Sequence, residues 1–171
     1  MRIYLIGYMY CGKTTVGQQL AKRLNRHFID LDQAIEARYH TTISIFFQKY
    51  GESLFRKVEQ QMLHDTEHLD DVVISTGGGT PCFEDNMQWI NDHGSSFYLK
   101  LSEQTTCQRM TISRKRRPTV MSLPPYQREE FIHSQLTQRL PTYQQAHHII
   151  EADGLTTDEI VDIICEIVQG R

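Results

Sequence analysis

Paired cysteines and long apolar runs are both missing from this sequence. Its 171 residues include four cysteines, and none of them forms a C-x-x-C pair, which argues against a zinc site and against a disulfide framework. No apolar run approaches the length of a membrane span, and glycine interrupts the N-terminal stretch MRIYLIGYMY too soon for a signal peptide. We therefore expect a reduced protein in the cytoplasm, with no membrane partner.

A surplus of one charge is also missing. The 18 Lys and Arg residues against 21 Asp and Glu give a net charge of −3, which offers no support for nucleic acid as a partner. The eight histidines are scattered without the spacing of metal ligands. The chain length fits one domain over residues 1–171, and we expect a monomer.

Short apolar runs alternate with helical patterns along the chain. The strand candidates are residues 3–6, 28–31, 72–75, 97–101 and 148–150. Helical spacing follows the first of them at Val16, Leu20 and Leu24. This alternation predicts an α/β domain, a parallel sheet flanked by helices, with ligands bound beyond the carboxyl ends of the strands.

The segment GYMYCGKTT at residues 7–15 matches the phosphate-binding pattern G-x-x-x-x-G-K-[ST] between a strand and a helix. In such a loop consecutive backbone N–H groups face a phosphate, Lys13 neutralises its charge and the Thr14 hydroxyl binds Mg²⁺. The loop interior is unusually bulky, since it carries Tyr8, Met9, Tyr10 and Cys11. Backbone amides make the cradle, so we expect nucleotide binding to survive if these side chains point away.

Cys11 has two interpretations. It is either a passive small apolar residue, which we favour, or a reactive thiol at a helix N-terminus.

Two acidic residues, Asp30 and Asp32, lie at the end of the second strand candidate, and their spacing in a strand would point both side chains to one face. One could serve Mg²⁺ and the other an attacking hydroxyl. The alternative is that they cap a helix starting near Gln33.

Two further motifs follow in GESLFRKVEQQML and STGGGTP. In the first, an apolar stripe of Leu54, Val58 and Met62 is predicted to face the core. Arg56 and Glu59 lie three residues apart beside this stripe, which by itself favours a surface ion pair. In the second motif, three glycines after the third strand candidate indicate close approach of the backbone to a ligand.

A long loop-like segment, residues 113–126, carries three prolines and four basic residues. Such a segment in a compact domain is usually functional or mobile. We interpret it as a lid, and the alternatives are a solvated basic run or a nucleic-acid patch.

In order, the motifs GKT, D-x-D, F-R-x-x-E, GGG, R-P and R-x-P-x-Y resemble those of the shikimate kinase family, from Ile3 to about Ile150. The resemblance implies a three-layer P-loop kinase fold similar to nucleoside monophosphate kinases, with a five-stranded parallel sheet and a mobile lid. It also implies transfer of the γ-phosphoryl group from MgATP to the 3-hydroxyl of shikimate.

The resemblance assigns roles to particular residues. Lys13, Asp32 and the lid residue Arg117 would be catalytic. Mg²⁺ would be bound by Thr14, with Asp30 in its outer shell. The ATP-binding residues would be Tyr10, Cys11, Gly12, Lys13, Thr14, Thr15 and Arg117. A substrate-binding region would span about residues 32–60. The shikimate-binding residues would be Asp32, Arg56 and Glu59 in this region, and Gly78, Gly79 and Arg139 after it.

In this assignment Arg56 and Arg139 bind the shikimate carboxylate, for which planar guanidinium groups are well shaped.

The chain departs from the family at Tyr10 and Cys11, at Thr119 and Val120, and at Met110, where many relatives carry an arginine. Arg109 or Arg114 could replace that arginine on the adenine side. Another small-molecule kinase, acting on gluconate or a nucleotide, and a non-catalytic nucleotide-binding protein remain as alternatives.

Overall fold

Five parallel strands form one sheet in the order β2-β3-β1-β4-β5. The structure is a computed structural model that describes residues 1–113 and 123–170. The strands are β1 Arg2–Ile6, β2 His27–Asp30, β3 Val72–Ser75, β4 Ser95–Lys100 and β5 His148–Glu151. The predicted α/β class and parallel pairing are confirmed, and each strand lies within two residues of its predicted bounds.

Helices cover both faces of this sheet. Those in the described residues are α1 Lys13–Leu24, α2 Leu31–Tyr39, α3 Ile43–Tyr50, α4 Glu52–His64, α5 Asn86–His93, α6 Glu103–Ile112, α7 Pro125–Tyr143 and α8 Thr157–Gln169. Two 3-10 turns, Asp65–His68 and Thr80–Cys82, flank β3. Among these helices none is long and apolar enough to cross a membrane.

The central strand shows why the sequence folds in layers. In β1 the residues from Ile3 to Ile6 are all fully buried, as expected for a strand covered on both faces. Ile3 and Leu5 pack with α1 and α8, whereas Tyr4 and Ile6 pack with α5 and α7. The alternation of side chains along one strand therefore supplies both halves of the core.

Parallel pairing brings three functional segments to one edge of the sheet. The loop after β1 carries the phosphate-binding motif, and β3, which ends at the three glycines, is the neighbour of β1. On its other side β3 pairs with β2, which ends at Asp30. Ligands of such sheets bind beyond the carboxyl ends of the strands, so these loops define the place to look for a site.

Helix α4 is rotated relative to the sequence-based expectation. Its buried residues are Phe55, Glu59 and Leu63, while Leu54 is 45% exposed. The prediction that Leu54 leads the core-facing stripe was therefore wrong. Phe55 packs instead with Phe46 and Ile35 in a small core shared by α2, α3 and α4, and this rotation turns Glu59 into the protein.

Candidate active site

The phosphate loop closes around the side chain of its own lysine. Gly7 and Gly12 adopt φ angles of 143° and 94°, which favour glycine, and Gly12 precedes the first residue of α1. Lys13 is only 9% exposed. Its Nζ donates hydrogen bonds to the carbonyl oxygens of Gly7 at 2.7 Å and Tyr8 at 2.9 Å. The ammonium group therefore lies within the loop, where it can meet an anion bound by the loop amides.

The bulky residues of the loop are accommodated in different ways. Tyr8 and Cys11 are buried, and Cys11 packs with Val16 and Leu20, while its Sγ also accepts from Lys13 Nζ at 3.6 Å. Tyr10 has a φ of 67°, a left-handed conformation that costs a residue with a Cβ about 1 kcal/mol or more. Its partly buried ring packs against the core cluster that contains Tyr8 and Met110. The loop therefore carries backbone strain at Tyr10.

Thr14 and Asp30 form the oxygen-rich end of the loop. The Thr14 hydroxyl donates to Asp30 Oδ2 at 2.7 Å, and Asp30 Oδ1 accepts from the Gln33 amide at 3.2 Å. Hydroxyl and carboxylate oxygens are donors of the type that Mg²⁺ prefers, so the pair suits the predicted magnesium role. Thr15 is exposed on the next position of α1.

The geometric argument that placed Asp30 and Asp32 on one face of a strand was wrong. Asp30 ends β2 and caps α2, which begins at Leu31, so Asp32 lies in the first helical turn. The capping interpretation is correct for Asp30, although the same carboxylate also serves Thr14. Asp32 lies beside the glycine loop, with its Oδ1 2.8 Å from the position of a Cβ on Gly77.

Arg56 and Glu59 form an ion pair that reaches the interior. Glu59 is 1% exposed, and its Oε2 accepts from Arg56 Nη1 at 2.7 Å. Its second oxygen accepts from the Thr80 hydroxyl at 2.5 Å, while Arg56 also donates to the exposed Glu52. Burial raises the pKa of the Glu59 carboxyl, and Arg56 and Thr80 oppose that rise. The prediction of a surface pair was wrong, and Glu59 instead fixes Arg56.

Two of the three glycines make room for these side chains. A Cβ at Gly77 would lie 2.5 Å from Glu59 Oε1 and 2.8 Å from Asp32 Oδ1. A Cβ at Gly79 would lie 2.6 Å from Arg56 Nη2. Because these distances are below 3.0 Å, a larger residue at either position would displace the protein's own charged groups from the loop. Asp32, Glu59 and Arg56 thus converge on one short segment.

Arg139 completes this group from α7. Its Nη1 lies 3.4 Å from the position of a Cβ on Gly78, and its guanidinium carbon lies 5.5 Å from the centroid of the Tyr8 ring. One turn further along α7, the buried Tyr143 donates its hydroxyl to the Gly78 carbonyl at 2.6 Å. The R-x-P-x-Y motif therefore supplies both a cation and an anchor for the loop. The four-residue spacing from Arg139 is the sequence signal for the role of Tyr143.

On the nucleotide side, Arg109 of α6 contacts the phosphate loop. Its Nη1 donates to the Tyr10 carbonyl at 3.3 Å and lies 3.7 Å from the position of a Cβ on Gly12. Arg109 is thus the candidate that the structure places beside the loop, and Met110 is buried. Arg114, Arg117, Thr119, Val120 and most of the predicted lid lie outside the described residues.

A phosphate loop with a neighbouring cluster of two arginines and two carboxylates, at the carboxyl edge of a five-stranded parallel sheet, defines the class of P-loop kinases. A family model described as shikimate kinase matches residues 9–169. The chain therefore belongs to the shikimate kinase family.

Individual relatives agree with this assignment. The shikimate kinase of Phocaeicola vulgatus is 42% identical over 90% of this chain and 88% of that protein. The crystal structure of shikimate kinase from Bacteroides thetaiotaomicron has a TM-score of 0.94 and 39% identity, covering 99% of this chain and 98% of the other. Shikimate kinase from Acinetobacter baumannii, solved in complex with shikimate, has a TM-score of 0.90 and 32% identity, covering 99% and 93%.

Proposed function

We propose that this protein transfers the γ-phosphoryl group of ATP to the 3-hydroxyl of shikimate and releases shikimate 3-phosphate and ADP. The observation that carries the proposal is the convergence of Asp32, Arg56 and Arg139 on the glycine loop beside the phosphate loop. Two guanidinium groups and a carboxylate suit an acceptor that has both a carboxylate and hydroxyl groups. Membership of the family and the relative solved with shikimate support the same acceptor.

On the donor side, the loop amides and Lys13 bind the phosphates of ATP. Lys13 then exchanges its hydrogen bonds to the Gly7 and Tyr8 carbonyls for phosphate oxygens, and its charge opposes the charge that develops during transfer. Thr14 would hold Mg²⁺ directly and Asp30 through its outer shell. The ion supplies neutralisation of phosphate charge and orientation of the transferred group.

On the acceptor side, Arg56 and Arg139 bind the carboxylate and so fix the ring of the acceptor. Asp32 accepts a hydrogen bond from the attacking hydroxyl, aligns it and takes its proton. Glu59 holds Arg56 in place, and backbone N–H groups of Gly78 and Gly79 bind the same substrate. These groups come from four segments, α2, α4, α7 and residues 77–79, so binding and alignment depend on how all four pack together.

Residues 113–126 are proposed to close as a lid over a single kinase domain, bringing Arg117 to the transferred phosphoryl and excluding water. The support for this part is the R-R-P motif and the basic, proline-containing sequence. The four cysteines are free thiols, which supports a reducing compartment, the cytoplasm.

Coupled measurement of ADP release tests the function directly. The purified protein is assayed with MgATP and shikimate, gluconate, shikimate methyl ester or no acceptor. The methyl ester is the matched control, because it keeps the hydroxyls and removes the negative charge that the arginines bind. We expect turnover with shikimate, a large loss with the ester and background rates with gluconate. Absence of shikimate-dependent ADP release, or an equal rate with gluconate, contradicts the proposal.

A further inference from the structure

The side chain of Tyr8 joins the phosphate loop to α7. It is 3% exposed, and its hydroxyl donates to Gln135 Oε1 at 2.7 Å. The face of its ring lies against the guanidinium group of Arg139, 5.5 Å from centroid to Cζ. Gln135 and Arg139 are four residues apart, so they lie one above the other on the same face of the helix. One side chain therefore contacts two successive turns of α7.

The backbone of the same residue belongs to the nucleotide side of the site. The Tyr8 carbonyl accepts one of the two main-chain hydrogen bonds of the Lys13 ammonium, at 2.9 Å. Tyr8 is thus in contact with the donor-side lysine through its main chain and with the acceptor-side arginine through its ring. The ring is also a buried member of the core cluster that contains Met110, Ile132 and Tyr143, so it is packed between the phosphate loop and α7.

The side chain of Tyr8 is chemically suited to hold the Arg139 guanidinium group in one orientation. Burial raises the pKa of its phenol to about 12, with Arg139 opposing the rise, so the hydroxyl stays protonated and donates to Gln135. The face of a neutral aromatic ring attracts a guanidinium group, and a desolvated contact is stronger than an exposed one. A flexible arginine held in this way loses fewer rotamers when it binds an anion.

We propose that Tyr8 is a positioning residue that holds Arg139 in the orientation required to bind the acceptor carboxylate. The inference rests on the proposed function, which assigns Arg139 to that carboxylate. It adds an acceptor-side task to a residue of the phosphate loop. The consequence is that a substitution in the nucleotide loop alters recognition of the other substrate.

Four variants separate positioning from a general effect on folding. Tyr8→Phe removes the hydrogen bond to Gln135, Tyr8→Leu removes the ring as well, and Gln135→Leu removes the partner. Tyr4→Phe is the matched control, because Tyr4 is equally buried and its hydroxyl pairs with Thr66 of the 3-10 turn Asp65–His68. We expect Tyr8→Leu to raise KM for shikimate by about tenfold and Tyr8→Phe by about threefold, with KM for ATP within about twofold.

The decisive readout is a double variant. If Tyr8 acts through Arg139, Tyr8→Leu adds less than about a twofold increase in KM for shikimate once Arg139→Ala is present. A full tenfold increase in that background, equal increases of both KM values, or no change in Tyr8→Leu overturns the inference. If Tyr8→Leu does not fold, Tyr8→Phe and Gln135→Leu decide, because their double variant must match the larger single effect. Lack of turnover with shikimate in the unsubstituted protein instead overturns the proposed function and this inference together.

Discussion

The two halves of the candidate site are built in opposite ways. The donor half is one contiguous loop, residues 7–15, whose phosphate-binding groups are main-chain amides and one lysine. The acceptor half is assembled from side chains of α2, α4 and α7 around the segment 77–79. A main-chain site can change its side chains and keep its chemistry, whereas a side-chain site depends on every residue that positions its charges.

The tolerance of the two halves to extra atoms shows this difference. The donor loop holds a tyrosine, Tyr10, in a left-handed conformation that favours glycine, and Lys13 still donates to two of the loop's carbonyl groups. In the acceptor half a single methyl group at Gly77 or Gly79 would collide with Glu59 or Arg56. Sequence variation is therefore expected to concentrate in the lining of the donor loop.

The largest effect is expected at Asp32, because it is the acceptor-side group proposed to contact the attacking hydroxyl. Asp32→Asn keeps the size of the side chain and removes the base, so kcat should fall by about 100-fold or more. KM for ATP should change little. Steady-state kinetics with both substrates varied measure these changes. Asp70→Asn is the control, because Asp70 is an exposed acid just before the N-terminal end of β3, at the end of the strand opposite the site. An unchanged kcat would remove Asp32 from the mechanism.

Substitutions of three arginines should affect the two halves of the site in opposite ways. Arg56→Ala and Arg139→Ala should raise KM for shikimate by about tenfold or more while KM for ATP changes little, because each removes charge-assisted hydrogen bonds to the carboxylate. Arg109→Ala should do the reverse, since Arg109 contacts the phosphate loop. Arg56→Ala should also lower thermal stability, because it leaves the buried Glu59 carboxylate without its cation. Equal effects of all three on both KM values would contradict the division of the site.

The smallest effect is expected at Tyr10, where the donor half should absorb a change. Both Tyr10→Gly and Tyr10→Ala should leave KM for ATP within about threefold. By chemical denaturation Tyr10→Gly should be more stable than Tyr10→Ala by about 1 kcal/mol, because both lose the ring and only glycine relieves the left-handed strain.

The same pair of substitutions at Gln108, which is exposed in the middle of α6, provides a control of opposite sign. There alanine should be the more stable by about 1 kcal/mol, because glycine weakens a helix interior. A large decrease in KM for ATP in Tyr10→Gly would show instead that the tyrosine intrudes on the phosphates.

Most of the fold and the donor half could be predicted from the sequence. Strand positions follow from short apolar runs, and the phosphate loop is a contiguous motif with a strand before it and a helix after it. Among the acceptor residues, the spacing of Asp32 from Asp30 and the run of three glycines indicate a site by themselves. Arg56, Glu59 and Arg139 are assigned only through the resemblance to a family, since the local pattern of Arg56 and Glu59 favours an ordinary ion pair. Arg56 and Glu59, three residues apart on a helix, are indistinguishable from a surface pair until the rotation of α4 is known.

The remaining differences arise mainly from contacts between residues distant in the sequence, and in one case from a local helix cap. Burial of Glu59 is compensated by Arg56 and by Thr80, and Thr80 is 21 residues away in the chain, where no periodic pattern can connect them. The helical placement of Asp32 depends on the cap that Asp30 provides. The contacts of Tyr8 and Tyr143 with α7 and the glycine loop likewise join distant segments.

The central claim is that the acceptor half selects shikimate and presents one hydroxyl to the donor half. Phosphorus and proton NMR of the products formed from ATP and shikimate test it most directly. The account predicts a single new phosphate monoester on the 3-hydroxyl, formed in the same amount as ADP. ADP formed without a phosphorylated acceptor, or a phosphate on another hydroxyl, would contradict it.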